Sequence, residues 1–362
     1  MGAGLSGAVI AERYSSLLGK TVLVIEKRPH VGGNCYDYTD PDTGIRVNLY
    51  GAHLFHTKSQ RVWEYVQKFS HWTPYEHKVL AYVDKKHVPV PVNIETVNAL
   101  FDLKINTSEE MDEWLAKEQE PFEVPQNSEE MSLSRVGKRL YDKIFKPYTI
   151  KQWDKTPAEL GPEVMARIPV RNNFDGRYFN DPYQALPTKG YTAMFDNMFG
   201  SSLITLRVNT DYFEARDSLL CGRTYFSGPI DRYFAHLGWP KLEYRSIDFE
   251  RQVVRNTEFY QPISVVNHPS LDVNFTRIVE YKHFLGQKSD HTVLFYERSK
   301  DDGDPYYPVP NPENKDLFAR YQKMAKLQEN VTFVGRLANY KYFNMDESIL
   351  NALELFDKDN QI

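Results

Sequence analysis

The stretch that most constrains this chain is its start, Gly2-Ala3-Gly4-Leu5-Ser6-Gly7, which reads G-x-G-x-x-G. A helix-compatible apolar run follows (Ala8-Val9-Ile10-Ala11), and Gly19 serves as a stop. A β-branched run, Thr21-Val22-Leu23-Val24-Ile25, then ends in Glu26. This order and spacing are those of a dinucleotide-binding βαβ unit. The glycines permit a tight turn, close approach of backbone N–H groups to a pyrophosphate, and close packing of helix on strand. The helix N-terminus favours the anion. The carboxylate of Glu26 can accept hydrogen bonds from ribose hydroxyls. A strand should lead into Gly2, yet the chain opens at Met1. The expectation is that the first few residues are lacking from this sequence.

A glycine pair, Gly32-Gly33, follows Glu26 after Lys27-Arg28-Pro29-His30-Val31 and precedes Asn34. Paired glycines permit an unusual backbone path beside a ligand. So early a pair is more typical of FAD proteins than of NAD enzymes, with a plain Gly-Gly turn as the simpler reading. The loop Tyr50-Gly51-Ala52-His53-Leu54-Phe55-His56-Thr57 reads either as a packed polar loop or as one laid against a flat cofactor ring. Its two histidines have no third ligand nearby, so no metal site is expected.

At 362 residues the chain can form two or three domains. A net charge of −5 argues against a general nucleic-acid binder. No apolar run approaches the ~18 residues that span a bilayer, and no secretory leader is visible. Cys35 and Cys221 lack a metal spacing and read as free thiols of a reducing cytosol. The 24 tyrosines suit a pocket that stacks on rings and hydrogen-bonds to sugars.

Along the chain, residues 60–70 read as a helix and 79–92 as a hairpin turning at Asp84-Lys85-Lys86. Helices are predicted over 107–119 and 128–146, with Pro147 as a kink or stop. The second carries Arg135, Lys138, Arg139, Lys143 and Lys146, read as a solvated face. Gly161-Pro162, Arg167 and Arg171 mark an exposed loop that could move over a ligand, its two arginines suited to phosphate. Strands are expected near 224–231, 273–279, 292–297 and 331–336, and helices near 313–329 and 345–356. The stretch Pro305-Tyr306-Tyr307-Pro308-Val309-Pro310 is too proline-rich for a central strand.

Taken together, GAGLSG, EKRPHVGGN, YGAHLFHT, PYTIKQW, RIPVR, RYFND, SGPIDRYF, FTRIVEYKHF, GDPYYPV and GRLANYKYFNMD occur in order along residues 2–346. The set closely resembles the bacterial-type UDP-galactopyranose mutases, and the KQW and YYP stretches are far more specific than the opening glycines. The resemblance implies an α/β fold with α+β insertions: a Rossmann-like FAD-binding domain, a helical insertion and an antiparallel-sheet substrate domain. The expected FAD domain is discontinuous (1–75, 190–235 and 325–362). The helical domain spans 93–185, with a mobile substrate loop at about 160–172, and the sheet domain takes 76–92 with 236–324.

The resemblance also implies a reaction, interconversion of UDP-galactopyranose and UDP-galactofuranose. Reduced flavin N5 would attack the anomeric carbon, and the sugar ring would open and reclose. It implies bound FAD, active when reduced, a flavin reductant, a cytoplasmic homodimer with no membrane span, and supply of galactofuranose for cell-surface glycans. Carried over residue by residue, Gly4, Ser6, Gly7, Glu26, Lys27, Arg28, Gly33 and Asn34 should hold FAD. His53, Leu54, His56, Gly335, Arg336, Tyr342 and Met345 should complete its site, with His56 at the ring face. Arg167 and Arg277 should clamp the diphosphate, and with His56 they form the expected catalytic set. His77, Tyr148, Thr149, Trp153, Tyr178, Glu297, Tyr307 and Tyr342 should line the substrate pocket, with Tyr178 against uracil. Asn344 stands where the family usually has Asp, and His77 where some members have Asn. A flavin oxidoreductase of amine-oxidase type shares the opening motifs but leaves the arginines, Trp153 and Tyr307 unexplained. A non-enzymatic sugar-nucleotide sensor is a third reading.

Overall fold

In the computed structural model, which describes residues 2–361, the opening glycine motif starts helix α1, Leu5–Leu18. Gly4 is its N-cap, and Gly19 ends it in the left-handed conformation, as the sequence predicts. The strand Val22–Ile25 follows and pairs in parallel with Ile204–Arg207. A second parallel pair joins Thr224–Phe226 to Val331–Phe333. Gly2 enters between the two pairs. Its N–H donates to the Ile25 carbonyl at 2.8 Å, and its φ of +87° brings the backbone so near Ser227 that a Cβ would lie 2.3 Å from Oγ.

The C-terminal helix Met345–Asn360 closes this α/β layer against α1. Its buried Ile349, Ala352, Leu353 and Phe356 recur at helical spacing and share one core with Ala8, Val9 and Ala11. The small α1 side chains allow close approach, and each fully buried Ile, Leu or Phe contributes about 1.5–3 kcal/mol.

The second core belongs to a seven-stranded sheet. Its strand order is Tyr307–Pro308, Tyr244–Val254, Thr292–Lys300, Arg277–Glu280, Val265–Asn267, Val79–Val83, Lys86–Val90. All pairings are antiparallel except Val265–Asn267 on Val79–Val83. The expected hairpin turns at Asp84 and Lys85, both at positive φ. The proline-rich Tyr307–Pro308 pairs as a two-residue edge strand, the one place where missing donors do no harm.

Helices pack on this sheet, and their residues Met111, Leu140, Ile144 and Trp153 share its core with Val79, Val279 and Phe295. Helix α2 spans Ser128–Leu140, and helix α3 spans Lys146–Trp153. Between them Tyr141–Phe145 forms a π-helical turn. Pro147 therefore does not stop the helix. It sits in the first turn of α3, where its missing N–H removes no needed bond. A short helix α4, Glu163–Ala166, precedes Arg167.

Gly137 breaks α2 from within, with φ +72° and ψ 172°. A Cβ there would lie 2.1 Å from the Glu118 carbonyl oxygen. Gly137→Ala thus meets both backbone strain and a clash, and should destabilise the protein by about 2–3 kcal/mol. Thermal unfolding should show a lowered midpoint, whereas an unchanged midpoint would mean that this close approach is not maintained in solution.

Candidate active site

The glycine turn and the glycine pair meet face to face. The Gly32 N–H donates to the Ala3 carbonyl at 2.8 Å. Gly33, at φ +55°, comes so near that a Cβ would lie 3.0 Å from the Gly4 Cα. Gly335, at φ +88°, closes the third side, where a Cβ would lie 2.5 Å from Ser6 Oγ. The result is a cradle of bare backbone at the N-terminus of α1, whose cap position, Gly4, offers no side chain to its first N–H groups. Such a cradle suits a pyrophosphate. Gly7 lies buried just inside the helix.

Glu26, 9% exposed, braces the turn. Its carboxylate accepts the Ala3 N–H at 2.8 Å and the Arg28 N–H at 2.9 Å. Arg28 donates to Asn34 Oδ1 at 2.9 Å and lies 4.1 Å over the Tyr50 ring. Lys27 is exposed, and its charge acts on Asp211 instead of on the cradle. The cysteines take no part. Burial pushes the Cys35 thiol up to about 12, and Cys221 is exposed.

From Asn34 a cavity of about 670 Å³ opens between the α/β layer and the seven-stranded sheet. His53, Leu54, His56, Arg336, Tyr342 and Met345 line it together with Tyr148, Thr149, Trp153, Arg167, Tyr178 and Arg277.

Its electrostatic centre is a cluster of arginines around a phenol. Arg167 lies 4.3 Å and Arg336 4.8 Å over the Tyr342 ring. Tyr307 stacks on Tyr342 at 5.3 Å and 13°. Burial pushes the Tyr342 phenol up, but Arg167 and Arg336 outweigh it and hold the phenol below its ordinary value. Arg336 is anchored by donating to the Phe343 and Tyr306 carbonyls. Arg277 faces Glu297 directly across two antiparallel strands, and its Nε donates to Oε2 at 2.6 Å. Burial opposes the charge of Arg277, and Glu297 more than restores it. Glu297 itself is 1% exposed and lies behind Arg277, with Oε1 lacking a hydrogen-bond partner among the described residues.

The three histidines differ in role. His53 Nδ1 donates to the Gly51 carbonyl at 2.7 Å, and burial pushes its pKa down to about 4, so it is neutral at pH 7. His56 Nδ1 pairs with Asp181 at 2.7 Å, and its ring stacks on Phe179 at 3.6 Å. His77 is 4% exposed and packs edge-on to Tyr178. Burial, with the charges of Arg277 and His56, pushes it down to about 3.

Two expectations about arginines are corrected here. Arg135 does not belong to a solvated face. It lines the cavity and donates to the Met165 and Ala166 carbonyls at 2.9 and 3.3 Å, just before Arg167. Arg171 is not a phosphate ligand. It does not line the cavity, and its Nη atoms donate to Asp175, the Arg177 carbonyl and Asn180, at 2.8, 2.7 and 2.6 Å, while its Nε is buried without a partner among the described residues. The basic run 135–146 gave no sign of Arg135's inward turn, because one guanidinium in a charged helix looks like its neighbours. Asn344 also lines the cavity, at the N-cap of the C-terminal helix, where its N–H donates to Glu347 at 2.7 Å.

A family model described as UDP-galactopyranose mutase matches residues 143–342, more than half of the chain. The chain belongs to the UDP-galactopyranose mutase family. A second model, an NAD(P)-binding Rossmann-like domain, matches residues 1–69. The chain is 37% identical to a probable UDP-galactopyranose mutase of Klebsiella pneumoniae, over 99% of this chain and 93% of that one. It is 35% identical to a dTDP-fucopyranose mutase of Escherichia coli, over 100% and 98%. It is 31% identical to the UDP-galactopyranose mutase of Mycoplasma pneumoniae, over 98% and 93%. Among solved structures, a reduced UDP-galactopyranose mutase superposes with a TM-score of 0.80 at 17% identity, covering 99% of this chain and 94% of that one. A putrescine oxidase variant superposes at 0.60 and 12%, covering 100% and 98%. These likenesses show the fold. The family interconverts pyranose and furanose forms, so the chain is an enzyme of the isomerase class.

The Arg135 contacts predict a local effect. Arg135→Ala should raise amide hydrogen exchange at Ala166 and Ile168, whose N–H groups bond within this turn, by about tenfold. Unchanged exchange would show that Arg135 does not hold the segment.

Proposed function

We propose that the chain interconverts UDP-galactopyranose and UDP-galactofuranose with the help of bound FAD in its reduced form. The observation that carries this reading is one arginine-rich cavity beside a cradle of bare backbone. The cradle for a dinucleotide adjoins the cavity at Asn34, and Arg167, Arg277 and the Tyr342 phenol line the cavity itself. The cradle suits the pyrophosphate of FAD, because no side chain caps the first N–H groups of α1, and Gly33 and Gly335 let bare backbone gather there, their Cβ positions only 3.0 Å from Gly4 Cα and 2.5 Å from Ser6 Oγ. Gly4, Ser6, Glu26, Arg28, Gly33 and Asn34 would hold its diphosphate and ribose, and His53, His56 and Met345 its ring. The bound flavin supplies an electron-rich N5 able to react at an anomeric carbon.

The chain's own residues supply the rest. Arg167 and Arg277 neutralise the diphosphate both when it is attached to the sugar and when it has left, so the leaving group stays in place for the return step. Tyr307 and Tyr342 offer hydroxyls to the same oxygens. Tyr148, Thr149, Trp153 and Tyr178 offer rings and a hydroxyl to the base and ribose. The segment 161–168, held by Arg135, brings Arg167 over the cavity and excludes water.

The reading extends to galactofuranose supply for cell-surface glycans by a cytoplasmic homodimer with its own flavin reductant, as the family resemblance supports. No helix among the described residues is long and apolar enough to cross a membrane. A second substrate, dTDP-fucopyranose, is favoured by the 35% identity with a mutase of that name. Competing the two sugar nucleotides in one assay decides between them by their kcat/KM ratio.

The test is chromatographic conversion of UDP-galactofuranose with and without dithionite. Conversion should need the reductant, and turnover confined to oxidised flavin would contradict the reading. Arg277→Ala should lower kcat by about 100-fold or more while the flavin absorbance remains, and loss of bound flavin in that variant would misplace Arg277. Arg167→Ala should raise KM and lower kcat together, each about tenfold.

A further inference from the structure

The Lys151-Gln152-Trp153 motif sends Gln152 and Trp153 into the cavity wall, which leaves Lys151 without a part in the site. Its ammonium Nζ lies among four main-chain carbonyl oxygens of a single loop. The distances are 2.5 Å to His268, 2.6 Å to Ser270, 2.8 Å to Phe275 and 3.2 Å to Val273. No carboxylate forms an ion pair with it among the described residues. An ammonium has three protons to give, so these four acceptors exhaust it. Backbone carbonyls that converge on one point outside any strand ladder form a site that a cation can fill and an apolar group cannot.

The loop is the turn of a hairpin. Residues 268–276 join Val265–Asn267 to Arg277–Glu280, and Asn267 faces Arg277 in register. The His268 N–H closes the turn on the Thr276 carbonyl at 2.8 Å. Asn267, Pro269 and Arg277 line the cavity from this hairpin, while Tyr148, Thr149 and Trp153 line it from α3. Lys151, on α3, is the polar tie between these two walls.

We infer that Lys151 is a positioning residue for nucleotide binding: it clamps the 268–276 hairpin turn to α3 and so sets the width of the cavity's nucleotide end. This rests on the sugar-nucleotide reading above and assigns a determinant to it. The groups facing Lys151 are Asp272, whose charge favours the ammonium, and His268, with His87 behind it. Burial pushes the lysine down to about 8 and His268 down to about 4, so around neutral pH the lysine is charged and His268 is neutral. Loss of the clamp weakens interactions that are the same in the bound substrate and during reaction. It therefore raises KM and leaves kcat nearly unchanged.

The experiment titrates UDP into the flavin-loaded protein by calorimetry and measures KM and kcat for Lys151→Ala and Lys151→Met. Methionine keeps an unbranched stem and removes the ammonium, with its charge and three N–H donors, so it serves if the alanine variant folds poorly. The expected result is UDP affinity and KM each worse by about tenfold, kcat within about threefold, and flavin absorbance unchanged. Ethylammonium should restore UDP affinity to Lys151→Ala and leave the wild type unaffected. Unchanged UDP affinity in both variants overturns the proposal. So does a fall in kcat with KM constant, or a loss that ethylammonium does not restore. A wild-type protein that fails to bind UDP contradicts the sugar-nucleotide reading itself, a different result from any of these.

Discussion

The pairing of Arg277 with Glu297 is the interaction on which this site depends. A buried carboxylate such as Glu297, 1% exposed, costs several kcal/mol unless it meets an opposite charge such as that of the partly buried Arg277. Here they meet because adjacent antiparallel strands place them directly opposite, at 2.6 Å between Nε and Oε2. A one-residue slip of either strand would turn one of them to the other face. Glu297 satisfies one edge of the guanidinium from behind, which leaves the remaining donors directed at the cavity. The site's charge is thus set by sheet register, and the sheet's register is held by Val279 and Phe295, both buried in its core.

Around this pair the structure balances like charges with aromatic surface. Arg167 and Arg336 both stack on Tyr342, Tyr342 stacks on Tyr307, and Arg336 is tied to backbone carbonyls. Positive charge held this densely, with a phenol depressed among it, is suited to an anion that arrives and departs. The glycine cradle that adjoins the cavity at Asn34 is built by a different means. There Gly33 and Gly335 bring bare backbone together, since their Cβ atoms would lie 3.0 Å from Gly4 Cα and 2.5 Å from Ser6 Oγ, and no side chain caps the first N–H groups of α1.

The local parts of this arrangement were legible in the sequence. The glycine spacing, the hairpin at Asp84-Lys85 and the non-central place of Tyr307-Pro308 each follow from the conformational rules of the residues involved, whereas the bonds of Glu26 to the Ala3 and Arg28 N–H groups were not foreseen. Arg277 and Glu297 could be named only through a resemblance, since 20 residues and a strand pairing separate them. What was not legible depended on where a side chain turns. Arg135 sits in a basic helix, yet it alone reaches the Met165 and Ala166 carbonyls. Arg171 looked like a partner of Arg167 but is absorbed by Asp175 and Asn180. Pro147 read as a kink or stop because a π-helical turn, which returns the chain to helix just before it, leaves no local sequence signature. Lys151 had no reading of its own, because its partners are carbonyls, which carry no residue identity.

The central claim is that Arg167 and Arg277 hold the diphosphate of a sugar nucleotide in the same cavity that the glycine cradle feeds. A crystal structure of the reduced, flavin-bound protein with UDP tests it most directly. The account predicts diphosphate oxygens within hydrogen-bonding distance of both guanidinium groups and of the Tyr342 hydroxyl, with the base between α3 and the 268–276 hairpin turn. UDP bound outside this cavity, or bound in it with neither arginine in contact, would contradict the account.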